Sequence, residues 1–305
     1  MSMTRQQTVI PFFAFVGLVA AILLCAAAAL ANVPERGGAA AALHAKHEEL
    51  RDKLAHNPFG RPVHVTSSQA SNELQGDVYA VVDYPFTRVD EGLRDAASWC
   101  HVLILPFNTK HCSAGGQNGE SHLTMRIGRK ASQAPENAYP IEFRYRVESR
   151  DPDFLRVSLK AENGPLGTRN YEIALEATPL DQGHTFIHLG YKYAFGMMSR
   201  LAMETYLGTS GADKVGFSAS GRDGEGKPQL VGGMLGATER NTMRYFLAID
   251  VYLASLAVPE GERVDKRIND WFAATEKYPR QLHEMDRGEY VAMKKKKATR
   301  VNAAL

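Results

Sequence analysis

The chain has 305 residues, with 36 Lys and Arg against 34 Asp and Glu, a formal net charge of +2 and 44% hydrophobic residues. So small a net charge gathers no polyanion, which excludes the phosphate-led binding of DNA- and RNA-binding proteins. The apolar content is ample for a packed core, and the length fits one domain with extensions.

The first 31 residues read as an export signal. Arg5 is the only charge before Glu35, and VIPFFAFVGLVAAILLCAAAALA runs apolar to the small-x-small exit Ala29-Leu30-Ala31. This is the pattern of a secretory signal, with cleavage expected after Ala31. An uncleaved anchor remains open, because about 20 apolar residues can span a bilayer. Cys25 follows the large Leu24, which argues against a lipid-attachment signal. Either way the folded part is expected in the periplasm, held at the inner membrane if the signal stays uncleaved.

Residues 32–62 read as an Ala/Gly-rich leader followed by a weakly amphipathic helix over 43–55, on which His44 and His47 are expected at the solvated surface. NPFGRP (57–62) ends that helix. From 63 the period changes to two. PVHVTSSQ and GDVYAVVDYP are strands, and FTRVDEGLRDAASW is a short helix with Thr87 as its N-cap. LILPFNTKHC, SHLTMRIGRK, YPIEFRYRVES, DFLRVSLKAE, RNYEIALEATP and HTFIHLGYKYAF follow as strands. Leu123/Met125/Ile127, Phe143/Tyr145/Val147, Leu155/Val157/Leu159 and Tyr171/Ile173/Leu175 alternate with polar neighbours, so one face is apolar and the other wet. QNGE, RDPD, ENGPLG and DQG are hairpin turns, too short for parallel crossovers.

After Phe195 come a short helix, MMSRLAMETYL, stopped at Gly208, and a hairpin with a Gly-rich tip. That tip lacks the lysine-serine ending of a phosphate loop. TERNTMRYFLAIDVYLASLA (238–257) is the longest broadly apolar helix, with Glu239 favoured near its N-terminus. Residues 258–305 form a helical extension ending in a basic tail.

Cys100 and Cys112 are the only cysteines beyond residue 31. An exported chain usually pairs its cysteines, so Cys100–Cys112 is expected as a disulfide. A zinc site with His101 and His111 is disfavoured because neighbouring side chains in an extended segment point to opposite faces. No metal and no cofactor is assigned.

A sheet with one apolar face needs a cover, and the long helix after the last meander strand is the candidate. DVYAVVDYPFTRVDEGLRDAASW (77–99), followed by hairpin-linked strands and that helix, resembles the START-like (SRPBCC) helix-grip superfamily over roughly 63–257. The helix and hairpin at 196–237 and the C-terminal extension depart from its pattern. The resemblance implies an α+β fold, a curved antiparallel meander gripping the long helix, with a cavity between them for sterols, phospholipids, polyketides or other apolar ligands.

By strand parity Tyr145, Tyr171, Tyr191 and Tyr193 point toward that cavity, either meeting a ligand or lying at the sheet rim with wet hydroxyls. Arg240 and Arg244, one turn apart, either clamp an anionic head group or pair with Glu239 and edge acids. Lys294, Lys295, Lys296 and Lys297 offer contact with an anionic membrane surface or form a solvated tail. The expected partner is a hydrophobic small molecule or lipid. Two other functions stay open: an envelope protein with a filled core, and a cyclase- or hydrolase-type enzyme. For the enzyme, His188 and Glu204 are the polar candidates near the cavity mouth, with His188 pointing outward by parity.

Overall fold

A computed structural model describes residues 38–117, 120–128, 133–207 and 213–302. The expected signal at 1–31, Cys25 and Gly208 lie outside the described residues. Among those described, no helix is long and apolar enough to cross a membrane.

The strands are β1 (Val63–Ala70), β2 (Glu73–Val82), β3 (Thr109–Gln117), β4 (Glu120–Ile127), β5 (Tyr139–Asp151), β6 (Phe154–Asn163), β7 (Arg169–Pro179) and β8 (Thr185–Ala194). They form one antiparallel, open sheet in the order β1-β2-β8-β7-β6-β5-β4-β3. Strands β3 to β8 are the meander that alternation and short turns foretell. The β1–β2 hairpin then joins it through a long-range pairing, with Val78 opposite Leu189.

The helices are α1 (Gly38–Ala55), α2 (Phe86–Leu93), α3 (Ala96–Leu103), α4 (Met197–Leu207), α5 (Gly233–Ser255), α6 (Glu260–Thr275), α7 (Pro279–Leu282) and α8 (Arg287–Asn302). A small hairpin, β9 (Ala219–Arg222) and β10 (Pro228–Leu230), precedes α5. The inward set of the sheet, including Val78, Leu123, Phe143, Val157, Leu175 and Leu189, forms one core with Met243, Phe246, Leu247 and Leu253 of α5. This is the helix grip. The helix crosses close over Gly76, where a Cβ would collide with Thr242 and press on Thr238. Only glycine lets the two backbones approach so closely.

Several local expectations are corrected. The N-cap of α2 is Pro85 and not Thr87, and its cap makes no side-chain hydrogen bond. The single helix of 86–99 is two, broken at Arg94–Asp95, and the second carries Cys100 and His101. LILPF is therefore no strand: it leaves α3 as a buried loop, and β3 begins only at Thr109. A run apolar on every side has no period to read, and here it is enclosed from both sides. The long helix starts at Gly233, five residues earlier than its apolar period suggests.

His44 and His47 are not free at the surface. Helix α1 lies on the outer face of the sheet, where Leu43, Leu50 and Leu54 form a second small core with Phe154 and Phe186. His44 Nε2 sits 3.0 Å from Thr178 Oγ1, and His47 meets the Phe186 ring edge-on at 4.9 Å. Cys100 and Cys112 form the expected disulfide, with their Cα atoms 5.3 Å apart. The stretch it closes is not extended throughout, since Cys100 lies in α3 and Cys112 in β3.

Candidate functional site

Between the inner face of the sheet and α5 lies a cavity of about 180 Å³. Met125 and Ile127 of β4, Ile141 and Phe143 of β5, Tyr171 of β7 and Tyr191 of β8 form its floor. Asn241, Arg244 and Tyr245 close it from α5, because positions three and four apart share a helix face. Pro106 and Asn108, from the loop after α3, and Pro165, from the short 3₁₀ turn Pro165–Gly167, complete the wall.

Of the tyrosines expected to face inward, all four are drawn toward the core, but they do different things. Tyr171 and Tyr191 line the cavity. The Tyr171 hydroxyl lies 2.8 Å from Thr168 Oγ1, and Thr168 in turn donates to the Pro165 carbonyl at 2.5 Å. Gly164 keeps that ring in place, since a Cβ there would run into it. Tyr193 stacks on Tyr171 at 5.3 Å, away from the cavity and toward Met203 of α4. Tyr145 is remote from it, and its hydroxyl donates to the Leu93 carbonyl at 3.0 Å, tying β5 to the end of α2. The rim alternative is corrected for Tyr145, Tyr191 and Tyr193, which are 4–6% exposed. Burial raises the phenol of Tyr171 to about 12 and that of Tyr245 to about 12, so both stay neutral.

The two arginines part company as well. Arg244 reaches the cavity wall, pairs with Glu284 and donates to Asn241 Oδ1 at 3.2 Å. Its guanidinium also lies 5.7 Å over the Phe107 ring. Arg240 does not line the cavity. It is buried and donates to the Val215 carbonyl at 3.3 Å, anchoring the segment before β9. The Glu239 carboxylate is fully buried and accepts from Phe217 N–H at 2.6 Å, Ser218 N–H at 2.9 Å, Ser67 Oγ at 2.9 Å and Ser218 Oγ.

The lysine run is corrected in part. Lys294 is 1% exposed, its ammonium donating to the carbonyls of Ile104 (2.5 Å), Pro106 (2.6 Å) and Thr109 (3.1 Å). It cannot meet a membrane while the helix is docked. Lys295 pairs with Asp265 at 2.7 Å and Lys296 is exposed, while the side chain of Lys297 lies outside the described residues.

His188 points outward, as parity requires. It sits between Asp77 (2.8 Å) and Glu176 (3.0 Å) and stacks on Tyr79 at 4.3 Å. Glu204 is exposed on α4. Neither lines the cavity, whose described walls carry no carboxylate, imidazole or thiol. Among the described residues no cluster of His, Cys, Asp and Glu has the makings of a metal site. A larger groove of about 470 Å³, lined by His122, Glu142, Arg144, Lys160 and Glu162, runs over the outer face, open and of mixed charge.

Asn108, Asn241 and Tyr245 were not singled out from the sequence as site residues. Asn241, Arg244 and Tyr245 stand at i, i+3, i+4, a spacing that marks a shared face. Asn108 sits in a turn with no period to betray it.

No family model and no curated protein matches the chain. Similar solved structures include human StAR-related lipid transfer protein 5, with TM-score 0.39, 9% identity, 72% of this chain and 98% of that one covered. Another is the Zhui aromatase/cyclase from Streptomyces sp. R1128, with TM-score 0.36, 14% identity and coverage of 63% and 96%. Norcoclaurine synthase from Thalictrum flavum has TM-score 0.32, 13% identity and coverage of 49% and 81%. These are distant likenesses of fold, and nothing about the chemistry of this chain is taken from them. By its strand order and its gripped helix, the chain has an α+β helix-grip fold, an open antiparallel sheet packed on the long helix α5.

Proposed function

We propose that this is an exported, periplasmic protein that binds or carries a hydrophobic small molecule between its sheet and α5. The observation carrying the reading is the cavity itself, between the inner face of the sheet and α5. Its walls combine apolar residues of the sheet, Met125, Ile127, Ile141 and Phe143, with polar ones, Asn108, Asn241 and Arg244, and ligand pockets likewise pair an apolar lining with placed polar groups. Export is supported by the N-terminal signal pattern and by the Cys100–Cys112 disulfide, which belongs to oxidising compartments. The cavity is smaller than the roughly 300–1,000 Å³ of common ligand sites. A whole phospholipid or sterol therefore does not fit it as it stands, and a compact apolar molecule does.

The same small volume favours a second reading, an envelope protein whose core is simply well packed. Native mass spectrometry of the protein purified from a periplasm separates the two. A stoichiometric apolar adduct, lost on denaturation, is the expected result. A clean apo mass with no uptake from total envelope extract would favour the packed structural protein.

A further inference from the structure

Two arginines of α6 stand one turn apart, Arg263 and Arg267, and neither has a carboxylate partner among the described residues. The acids nearest them in the chain are engaged elsewhere or turned to water. Asp265 pairs with Lys295 and Asp270 with Lys266, each at 2.7 Å, while Glu260 and Glu262 are exposed. Arg267 is nonetheless only 6% exposed. Its Nε donates to the Arg263 carbonyl at 3.1 Å, and Arg263 Nε donates to the Val258 carbonyl at 3.1 Å. Both side chains therefore fold back toward the start of the helix, as helical side chains do. Their terminal amino groups are left over, and those of Arg267 are not sealed from water.

The Arg267 guanidinium lies 5.6 Å over the ring of Tyr252 on α5. That ring stacks on His101 of α3 at 6.3 Å, and its hydroxyl donates to Ser98 Oγ at 2.9 Å, leaving the Ser98 hydrogen to give. The imbalance here is one of charge. Like charges four apart on a helix repel, and a guanidinium taken out of water is costly without an opposite charge. Burial lowers the Arg267 pKa from its ordinary value; Tyr252 opposes this, Arg263 adds to it, and no carboxylate offsets it. Burial and then Arg267 push the His101 imidazole down to about 4, so it stays neutral with one N–H to donate. Arg244 shows the ordinary arrangement, a buried arginine answered by Glu284.

We propose that Arg263 and Arg267 form a binding site for a phosphate-type dianion, free or carried on a small molecule or a lipid headgroup, with Ser98 and His101 beside it as neutral donors. Planar guanidinium forks match phosphate oxygens with paired hydrogen bonds. Two uncompensated positive charges call for two negative ones, which a phosphate group approaches at neutral pH and a carboxylate does not. The site draws its charge from the C-terminal extension and shares no residue with the cavity between sheet and α5, so it stands whatever that cavity binds.

The test titrates the full chain with inorganic phosphate, glycerol phosphate and acetate at matched ionic strength, following thermal unfolding and the ring protons of His101 by NMR. Phosphate is expected to raise the unfolding midpoint, to shift the His101 signals and to bind at least about tenfold tighter than acetate. Arg267→Met keeps the stem and removes the charge. It should lose the phosphate response yet be at least as stable as wild type in chloride, because a buried unpaired charge has gone. Should that variant fail to fold, Arg263→Gln, at a half-buried position, should weaken phosphate binding about tenfold. Sedimentation with phosphatidylcholine vesicles containing phosphatidic acid separates the sources. Co-sedimentation that phosphate competes away assigns a lipid headgroup, and glycerol phosphate binding without it assigns a soluble ligand. A wild-type chain indifferent to phosphate, equal affinity for acetate, or an undiminished phosphate response in Arg267→Met would overturn the site.

Discussion

The ammonium of Lys294, on the last helix, donates to the carbonyl of Pro106, whose ring forms part of the cavity wall nearly 190 residues earlier in the chain. Tyr290, one turn before it, donates to Leu105 O at 2.9 Å, so two side chains of α8 hold the loop 104–109 by its backbone. The C-terminal extension is thus part of the cavity's construction. Its lysine run is a docking device on one side and a wet surface on the other.

Lys294→Met keeps the stem and deletes the donor, leaving the carbonyls of Ile104, Pro106 and Thr109 short of a partner in a buried place. The expected cost is about 3 kcal/mol in urea unfolding, with faster amide exchange confined to 104–109 and α8. Lys296→Met, at an exposed position, should stay within about 0.5 kcal/mol. Equal effects at the two positions would deny Lys294 its special role.

The Cys100–Cys112 bridge holds the other flank of the same loop, clamping α3 to β3 across 12 positions. Both sulfurs sit in residues with no exposed surface. Reduction, or Cys100→Ala with Cys112→Ala, should lower stability by about 3 kcal/mol by restoring chain entropy to the unfolded state. Unfolding midpoints with and without reductant measure it, and coincident curves would contradict it.

Strand parity makes much of this architecture legible in the sequence. Period two puts Tyr171 and Tyr191 inside and His188 outside, and the long helix is marked by its apolar girth. Parity cannot distinguish an inward residue that packs from one that lines a void. Tyr145 and Tyr191 obey the same rule, yet Tyr145 is capped by the Leu93 carbonyl, a contact from an element 52 positions away. Nor does a KKKK run reveal which lysine is buried. The only local hint is that Lys294 follows Tyr290 by four, on one helix face. The outer-face role of α1 was hidden for a related reason. Its apolar stripe is thin, and the patch where it docks, Phe154 and Phe186 with Tyr79, Val81 and Leu180 beside them, is scattered over separate strands and a turn.

Glu239 ties together three pieces of the chain: edge strand β1 through Ser67, the segment before β9 through Phe217 and Ser218, and α5, which carries it. Glu239→Ala would leave two buried N–H groups and two hydroxyls without their acceptor, for an expected loss of about 3 kcal/mol or more. Glu239→Gln should recover only part, because its amide nitrogen faces donors. Limited proteolysis should then cut first within 213–232, and unchanged cleavage there would argue against this tie.

His188 makes stability depend on pH, and the sign follows from its neighbours. Burial alone would lower its pKa, but hydrogen bonds and attraction from Asp77 and Glu176 outweigh burial and raise it to about 8. Glu176 is correspondingly lowered, first by its bond to His188, and Arg156 also reaches it at 2.9 Å. The other neighbour is Tyr79, a neutral stacking partner. The folded pKa therefore lies above the unfolded value of about 6.5. The contribution is complete below about pH 6.5 and lost as pH rises through about 8, on the order of 2 kcal/mol between the ends. Urea unfolding at pH 6 and pH 9 should show the native protein less stable at pH 9 by that order. His188→Gln removes the titrating group, so its stability should change much less between the two pH values. If the wild-type and variant slopes coincide, the pH dependence arises elsewhere and the carboxylates do not hold a charged imidazole on the sheet.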